Sequence, residues 1–200
     1  MHASQPDSPD IPEAATRLRT ALLDPLEAQR IAVAGSAIAA VLAPLYERDG
    51  ELFAVFIRRH SELRLHAGQI SFPGGRRDPD DADLTATALR EAHEEIGLDP
   101  TAVTVLGALA PTPTVVSDIA VYPLVGLIVR PPAWTLAGAE VESVLEAPLR
   151  ALAATHFVQT LERNGRVVVT DAYTIDGEVI WGATGRILTD LLVRMAAAGA

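Results

Sequence analysis

The sequence predicts an α/β fold in which a mixed β-sheet is covered by helices. Segments with the two-residue period of strands alternate along the chain with segments that have the period of helices. Turn signals typical of hairpins, such as Asp49-Gly50 and Asn164-Gly165, are more frequent than long crossovers between strands. With 200 residues, of which 49% are hydrophobic, the chain is long enough to bury the core of one ordinary domain.

Composition restricts the classes of function. A net charge of −10 argues against non-specific binding to nucleic acid or to an anionic membrane. The chain has no cysteine, which excludes a disulfide framework and thiolate-bound metal and is consistent with a cytoplasmic protein. The chain has sixteen arginines and no lysine, which is first of all a matter of overall composition. Five of these arginines fall within twenty residues beside a Gly-Gly turn and indicate a small anionic substrate: Arg58, Arg59, Arg64, Arg76 and Arg77.

The first part of the chain predicts a flexible arm, a helix and a hairpin. Residues 1–12 are polar and contain proline, without the basic start and apolar core of a signal peptide. The apolar run 31–45 is too short and too interrupted to cross a membrane, so it predicts a buried strand. The predicted domains are residues 1–30, an arm with a short helix, and residues 31–197, the globular domain. The predicted elements are a helix at 13–23, hairpin strands at 37–46 and 52–58, and a loop at 59–75 containing a short strand at 69–72.

The second part of the chain alternates strands and short helices. Pro123 predicts that its strand lies at an edge or carries a bulge, because proline cannot donate a ladder hydrogen bond. The final helix presents one apolar face from Ile187 to Met195. The predicted elements are strands at 103–109 and 120–129, a helix at 140–146, a helix beginning near Pro148, a hairpin at 156–161 and 167–173, a strand at 178–181 and a helix at 186–197.

Three glutamates within residues 71–98 form the centre of the functional prediction. Glu91, Glu94 and Glu95 have the spacing i, i+3 and i+4, which places them on one face of a helix that ends at Gly97. Like charges at this spacing destabilise a helix unless a cation offsets them, so a divalent metal is expected. A solvated acidic face is the alternative. The neighbouring apolar stripe should bind the helix to the core: Leu84, Ala88, Leu89, Ala92 and Ile96.

The surrounding residues resemble a known family. Gly74-Gly75, followed by the segment from Arg90 to Leu98 (Arg-Glu-Ala-His-Glu-Glu-Ile-Gly-Leu), is similar to the signature sequence of the Nudix hydrolases. The second half of that signature matches at every fixed position. The first half is one residue longer here, so its acidic position corresponds to either Asp81 or Asp83, and the sequence leaves the choice open.

The resemblance implies a fold, a cofactor and a set of catalytic residues. It implies a Nudix-type α/β/α sandwich with a mixed β-sheet and a pyrophosphohydrolase that uses Mg2+ or Mn2+. Glu91, Glu94 and Glu95 are the implied metal ligands and catalytic residues, and Arg90 the residue that orients them. The general base is left open between Glu91 and a downstream acid. The downstream candidates are Glu140, Glu142 and Glu146.

A second motif is similar to that of the coenzyme A pyrophosphatases within this family. It consists of two arginines, a glycine and Phe-Pro-Gly-Gly at fixed spacing, and the extra residue before Arg90 also occurs in that group. The resemblance implies hydrolysis of coenzyme A, or of its derivatives, to 3′,5′-ADP and 4′-phosphopantetheine. The predicted substrate-binding residues are Arg59, Arg64, His66, Gly68, Phe72, Gly74 and Gly75.

Two alternatives accompany this prediction. One is a Nudix enzyme for another nucleoside diphosphate derivative, such as ADP-ribose, a nucleotide sugar or a dinucleotide. The other is a Nudix-fold module that binds without hydrolysis, although such modules often lose the carboxylates that this chain retains. The expected partner is a small molecule, neither nucleic acid nor membrane. The preferred form of coenzyme A, the number of metal ions and the oligomeric state stay open.

Overall fold

The computed structural model describes residues 11–62, 67–114, 117–163 and 166–200. The helices are α1 (Glu13–Ala21), α2 (Pro25–Ala28), α3 (Leu84–Ile96), α4 (Leu149–Ala154) and α5 (Gly182–Ala198), with a 3-10 turn at Pro100–Ala102. The strands are β1 (Ala37–Arg48), β2 (Glu51–Arg59), β3 (Ile70–Ser71), β4 (Gly74–Arg76), β5 (Val103–Ala108), β6 (Thr112–Pro113), β7 (Ile119–Ile128), β8 (Val141–Pro148), β9 (Phe157–Arg163), β10 (Arg166–Ile175) and β11 (Glu178–Ile180).

A wedge of two short strands opens the main sheet where the site lies. Strands β1 and β2 pair near their connecting turn, through residues 45–48 and 51–54. Farther along they diverge, because β3 pairs with β2 and β4 pairs with β1. Strand β7 runs parallel to β1 on its other side, and β8 pairs antiparallel with β2. The result is a mixed eight-stranded sheet with the Phe-Pro-Gly-Gly turn inserted between its central strands.

Both faces of the main sheet are buried, which confirms the layered α/β prediction. Strand β2 shows the reason, since Phe53, Val55 and Ile57 face α3 while Ala54 and Phe56 face the opposite core. That opposite core contains α1, α5 and the small sheet β11-β10-β9. A strand covered on two sides needs a nearly continuous apolar sequence, and β2 has one.

The prediction of a helix at 140–146 is wrong, because this segment forms strand β8. Its residues pair antiparallel with β2, from Val141 opposite Arg59 to Pro148 opposite Phe53. The stretch Val-Glu-Ser-Val-Leu-Glu-Ala has no decisive local preference, and the free edge of β2 determines its conformation. Pro148 precedes α4, as predicted.

Of the two alternatives predicted from Pro123, the edge position is wrong, because β7 lies between β1 and β5. The pairing of β5 with β7 does carry an irregularity nearby, but it lies on β5, between Val105 and Gly107. Proline is tolerated in β7 because its backbone faces the interval between β5 and β6, where the neighbouring strand is interrupted. The carbonyl of Pro123 accepts a hydrogen bond from the N–H of Leu109 in that interval. The missing N–H therefore costs little in the sheet.

Other predicted elements are confirmed. The β1–β2 hairpin turns at Asp49 and Gly50, which both have positive φ. Helix α5 buries its predicted face but begins at Gly182, four residues before the predicted start. The strand predicted from residue 31 begins only at Ala37. In the described ranges, no helix is long and apolar enough to cross a bilayer.

The N-terminal helix packs into the main body. Leu18 is completely buried, and Arg194 on α5 donates a hydrogen bond to the carbonyl oxygen of Ala21. Leu23 forms a bridge with Ala108 of β5. Helix α1 thus covers one sheet face together with α5, and the predicted boundary at residue 30 stays a prediction.

Replacing Leu18 with alanine should measure the contribution of α1 to the fold. Removal of a fully buried leucine side chain costs about 2–5 kcal/mol of unfolding free energy. Leu26 on α2 is 58% exposed, so Leu26→Ala is the matched control and should change stability by less than about 0.5 kcal/mol. Urea denaturation of Leu18→Ala and Leu26→Ala measures this difference. Equal unfolding midpoints for the two variants would contradict packing of α1 against the core.

Candidate active site

Helix α3 is defined at both ends by specific contacts. The side chain of Asp83 accepts a hydrogen bond from the backbone N–H of Ala86 at 2.8 Å and caps the first turn. The amide oxygen of Gln29 accepts from the N–H of Leu84. Gly97 ends the helix in the left-handed conformation at φ 68°, as predicted. Because the apolar stripe is buried on the sheet, the glutamates lie along the side that meets the Gly-Gly turn.

The Phe-Pro-Gly-Gly turn requires both of its glycines. Gly74 has φ 154°, and a β-carbon there would overlap the backbone of Ala40 and Val41. A β-carbon on Gly75 would overlap the carboxylate of Glu91, so that carboxylate lies directly against the turn. Phe72 is only 2% exposed and stacks on Phe56 in the core. Its ring therefore supports the turn from behind, which argues against the predicted direct contact with substrate.

Glu95 is the point at which the two sequence motifs meet. One of its carboxylate oxygens accepts from the backbone N–H of Gly74 at 2.8 Å, and the other accepts from Arg59 at 3.3 Å. The residue is only 3% exposed. Burial raises the pKa of Glu95 to about 7, although the hydrogen bond from Gly74 and the charge of Arg59 oppose this shift. A glutamate buried in this way is a metal-ligand or catalytic candidate.

Arg90 binds the two other glutamates of α3 and Asp81, which precedes the helix. It donates to both oxygens of Asp81 at 3.0 Å, to Glu91 at 2.9 Å and to Glu94 at 3.1 Å. It also donates to the carbonyl oxygen of Arg76 in β4. The orienting position predicted for Arg90 therefore matches its contacts, and its catalytic role stays a prediction.

The structure distinguishes the two aspartates that the sequence left open. Asp81 is 8% exposed and also accepts from Thr87 and from the backbone N–H of Asp78. The hydrogen bonds from Arg90 outweigh burial and hold the pKa of Asp81 well below its usual range. Asp83 is instead the helix cap. Asp81 is thus the acid that pairs with the arginine of the signature.

The downstream acids occupy three different environments. Glu140 immediately precedes β8, and its carboxylate is 4.0 Å from Arg59. Burial is the main cause that raises the pKa of Glu91 and of Glu95, and the negative charge of Glu140 adds to it. Glu142 pairs with Arg58, whose guanidinium also pairs with Glu178 of β11 on the side of the sheet opposite α3. The pairing of β8 with β2 is irregular at this point, so the simple alternation of side chains is interrupted there. Glu146 stands five residues farther along the strand than Val141, which is about 17 Å along β8 at 3.3 Å per residue.

Comparison with known proteins identifies the family. Residues 37–160 match the model of the NUDIX domain. The chain belongs to the Nudix family. It is 38% identical over 161 residues to the Uncharacterized Nudix hydrolase NudL of Salmonella paratyphi B. The aligned region covers 78% of this chain and 82% of that protein.

Solved structures support the Nudix fold. A MutT/nudix family protein from Enterococcus faecalis superposes with a TM-score of 0.56 at 15% identity, covering 98% of this chain and 76% of that chain. The Nudix hydrolase RenU from M. Smegmatis gives a TM-score of 0.50 at 19% identity, covering 60% of this chain and 75% of that chain. At these identities the likeness concerns the fold alone. Family membership supports a pyrophosphohydrolase.

Nudix hydrolases generally use divalent metal ions such as Mg2+ or Mn2+, and the donors present here suit such ions. Asp81, Glu140 and the three glutamates of α3 are hard oxygen donors, and in the described part of the chain only Arg59 and Arg90 pair with this cluster. The cluster therefore carries an excess of negative charge that a divalent cation would neutralise. Among the described residues no three such side chains are already grouped to hold a metal ion, and Arg90 and Arg59 occupy some of their carboxylate oxygens.

Three of the predicted substrate-binding residues are not placed at the acidic cluster by the described structure. Arg64 and His66 lie outside the described residues. Gly68 adopts a left-handed φ of 66° and donates its N–H to the carbonyl oxygen of Arg59 at 3.1 Å. Gly68 thus closes the loop back onto the end of β2. Sequence reasoning missed a group around Glu146, namely Tyr46, Arg130 and Trp134, and no motif in the sequence identifies it.

Replacing Asp81 with asparagine should lower stability far more than the same change at Asp83. Asp81→Asn leaves a largely buried Arg90 contact incompletely paired, which costs about 3 kcal/mol at neutral pH. Asp83→Asn keeps a good helix cap and should be nearly neutral.

The contribution of Asp81 to the free energy of unfolding should also depend on pH. Because folding lowers the pKa of Asp81, its contribution is complete above the unfolded pKa of about 3.9 and is lost as the pH falls toward the folded value. The stability difference between wild type and Asp81→Asn should therefore shrink below about pH 4 in urea denaturation. A difference that is constant with pH would contradict the ionised pair.

Proposed function

We propose that this protein hydrolyses the pyrophosphate bond of coenzyme A, or of a coenzyme A derivative, in a metal-dependent reaction. The products would be 3′,5′-ADP and 4′-phosphopantetheine. The observation that supports this most directly is the double contact at Glu95. That carboxylate joins the arginine and the Gly-Gly turn of the coenzyme A pyrophosphatase-like motif to the acidic face of the Nudix helix.

Hydrolysis of a pyrophosphate needs charge neutralisation more than covalent help from the protein. Glu91, Glu94 and Glu95 would hold the metal ion, as the resemblance implies, and Arg90 would keep their carboxylates oriented. The bound ion would neutralise phosphate charge and make a coordinated water more acidic. The Gly74-Gly75 backbone lies directly against these acids, because a side chain on residue 75 would overlap the carboxylate of Glu91.

Arginines of the preceding segment would bind the anionic substrate. Arg59 stands at the end of β2 with its side chain toward the cluster. Arg64 and His66 belong to the same motif in sequence, and we propose that this segment binds the 3′-phosphate that distinguishes coenzyme A from other diphosphates. Guanidinium groups suit this role because they donate two parallel hydrogen bonds to a phosphate.

We propose Glu140 as the general base that accepts the proton of the attacking water. Its carboxylate is largely exposed and lies in the electrostatic field of Glu91 and Glu95. Glu142 is bound to Arg58 on the opposite sheet face, and both oxygens of Glu146 are occupied by donors. Of the three downstream acids, only Glu140 therefore combines nearness to the cluster with a carboxylate that is open to water.

The substrate is tested by product analysis. With Mg2+ or Mn2+, chromatography should detect 3′,5′-ADP and 4′-phosphopantetheine from coenzyme A, and EDTA should abolish their formation. ADP-ribose, nucleotide sugars and dinucleotides form the comparison panel. Cleavage of ADP-ribose without cleavage of coenzyme A would refute the substrate. Absence of metal-dependent turnover on the whole panel would indicate a binding module.

The general base is tested by two matched substitutions. Glu140→Gln should lower kcat by about 100-fold or more, because a base of this kind contributes about 10²–10⁴-fold. Glu142→Gln, two residues away on the opposite face, should retain nearly full turnover. Steady-state kinetics at saturating metal separates the two variants. Similar kcat values for Glu140→Gln and wild type would exclude Glu140 as the base.

A further inference from the structure

The connection between β7 and β8, residues 129–140, passes over the C-terminal end of α3, and we call it the strap. The backbone N–H of Thr135 donates to the carbonyl oxygen of Ile96 at 3.2 Å, and that of Ala137 donates to the carbonyl oxygen of Glu95 at 3.0 Å. These are helix-end carbonyls that lack partners within the helix. A β-carbon on Gly97 would overlap Thr135, so the strap lies directly against the helix end.

One end of the strap is fixed to the carboxylate of Glu146. The indole N–H of Trp134 donates to one oxygen at 2.6 Å, while Arg130 at 2.7 Å and the hydroxyl of Tyr46 donate to the other. Burial raises the pKa of Glu146, but the hydrogen bonds from Arg130, Tyr46 and Trp134 outweigh burial and hold it below its usual value. Glu146 is therefore an ionised anchor for the strap.

The other end of the strap carries Glu140. The carbonyl oxygen of Ala137 accepts from the N–H groups of Glu140 at 2.8 Å and Val141 at 2.9 Å, which forms a tight turn. The carbonyl oxygen of Glu140 accepts from the N–H of His60 at 2.8 Å, next to Arg59. Hydrogen bonds thus hold the strap from Trp134, which binds the anchor, to the backbone of Glu140 beside Arg59.

We infer that the hydrogen bond between Trp134 and Glu146 is a positioning contact that sets the place of Glu140 in the active site. Trp134 and Glu146 touch neither the acidic cluster nor Arg59, so their effect on hydrolysis would pass through the strap. The inference rests on the proposed function, because it assigns the geometry of the proposed base. An indole N–H that donates to one carboxylate oxygen fixes direction as well as distance, which an apolar contact does not.

The test removes only the indole N–H. Trp134→Phe keeps an aromatic ring in the strap and should lower kcat about tenfold with little change in KM, since it displaces a base rather than a binding group. In the Glu140→Gln background the same substitution should produce no further loss of kcat, because the group it positions is already inactive. Tyr173→Phe removes a side-chain hydrogen bond elsewhere, between the Tyr173 hydroxyl and Thr189 on α5, and should reduce stability without changing kcat.

Hydrogen exchange gives a readout that is independent of turnover. In Trp134→Phe the amides of Thr135 and Ala137 should exchange faster, while amides in the centre of β1 and β7 keep the wild-type rate.

Three results would overturn the inference. The first is an unchanged kcat in Trp134→Phe, and the second is an equal loss of kcat from this substitution in the wild-type and Glu140→Gln backgrounds. The third is unchanged hydrogen exchange at the amides of Thr135 and Ala137. A wild-type protein that does not cleave coenzyme A refutes the proposed substrate instead. The same kinetic cycle is then measured on the diphosphate that the panel identifies, and the positioning contact is judged on that substrate.

Discussion

The approach of α3 to the Gly74-Gly75 turn is the constraint on which the rest of the site depends. The backbone N–H of Gly74 reaches the carboxylate of Glu95, and the carboxylate of Glu91 occupies the space that a side chain on residue 75 would need. This contact exists only because β1 and β2 diverge and admit β3 and β4 between them. The wedge in the sheet and the two missing side chains therefore act together to bring a helix face against a backbone turn.

Charge is distributed around this contact in an uneven way. Arg90 neutralises part of the helix face and ties it to Asp81, whose buried carboxylate accepts four hydrogen bonds from the chain. Glu95 receives one backbone N–H and one guanidinium. These contacts hold the acids in place without cancelling their charge, and burial raises the pKa of Glu91 and Glu95. Such an arrangement favours a divalent cation because fixed, desolvated carboxylates gain more from it than solvated ones do.

The sequence predicted those parts of the fold and site that depend on local residues. The turn at Asp49-Gly50, the end of α3 at Gly97 and the buried stripe from Leu84 to Ile96 follow from conformational preference and periodicity, and all are confirmed. Strand β8 was predicted as a helix because its conformation depends on pairing with β2, nearly ninety residues earlier. The choice between Asp81 and Asp83 was open for a similar reason, since spacing alone does not reveal which one faces Arg90.

The same reasoning separates the three downstream glutamates, which are indistinguishable in sequence. Once the segment is a strand, an irregularity in its pairing with β2 lets Glu142 reach Arg58 on the side opposite α3, and distance along the strand removes Glu146 from the cluster. Glu146 lies on the face that α3 covers, where Tyr46 and Trp134 bind it, and the strap connects it to Glu140. The strand error and the ambiguity about the base therefore have one origin. A helix at 140–146 would have grouped these acids, whereas a strand assigns one to the cluster, one to Arg58 and one to the anchor of the strap.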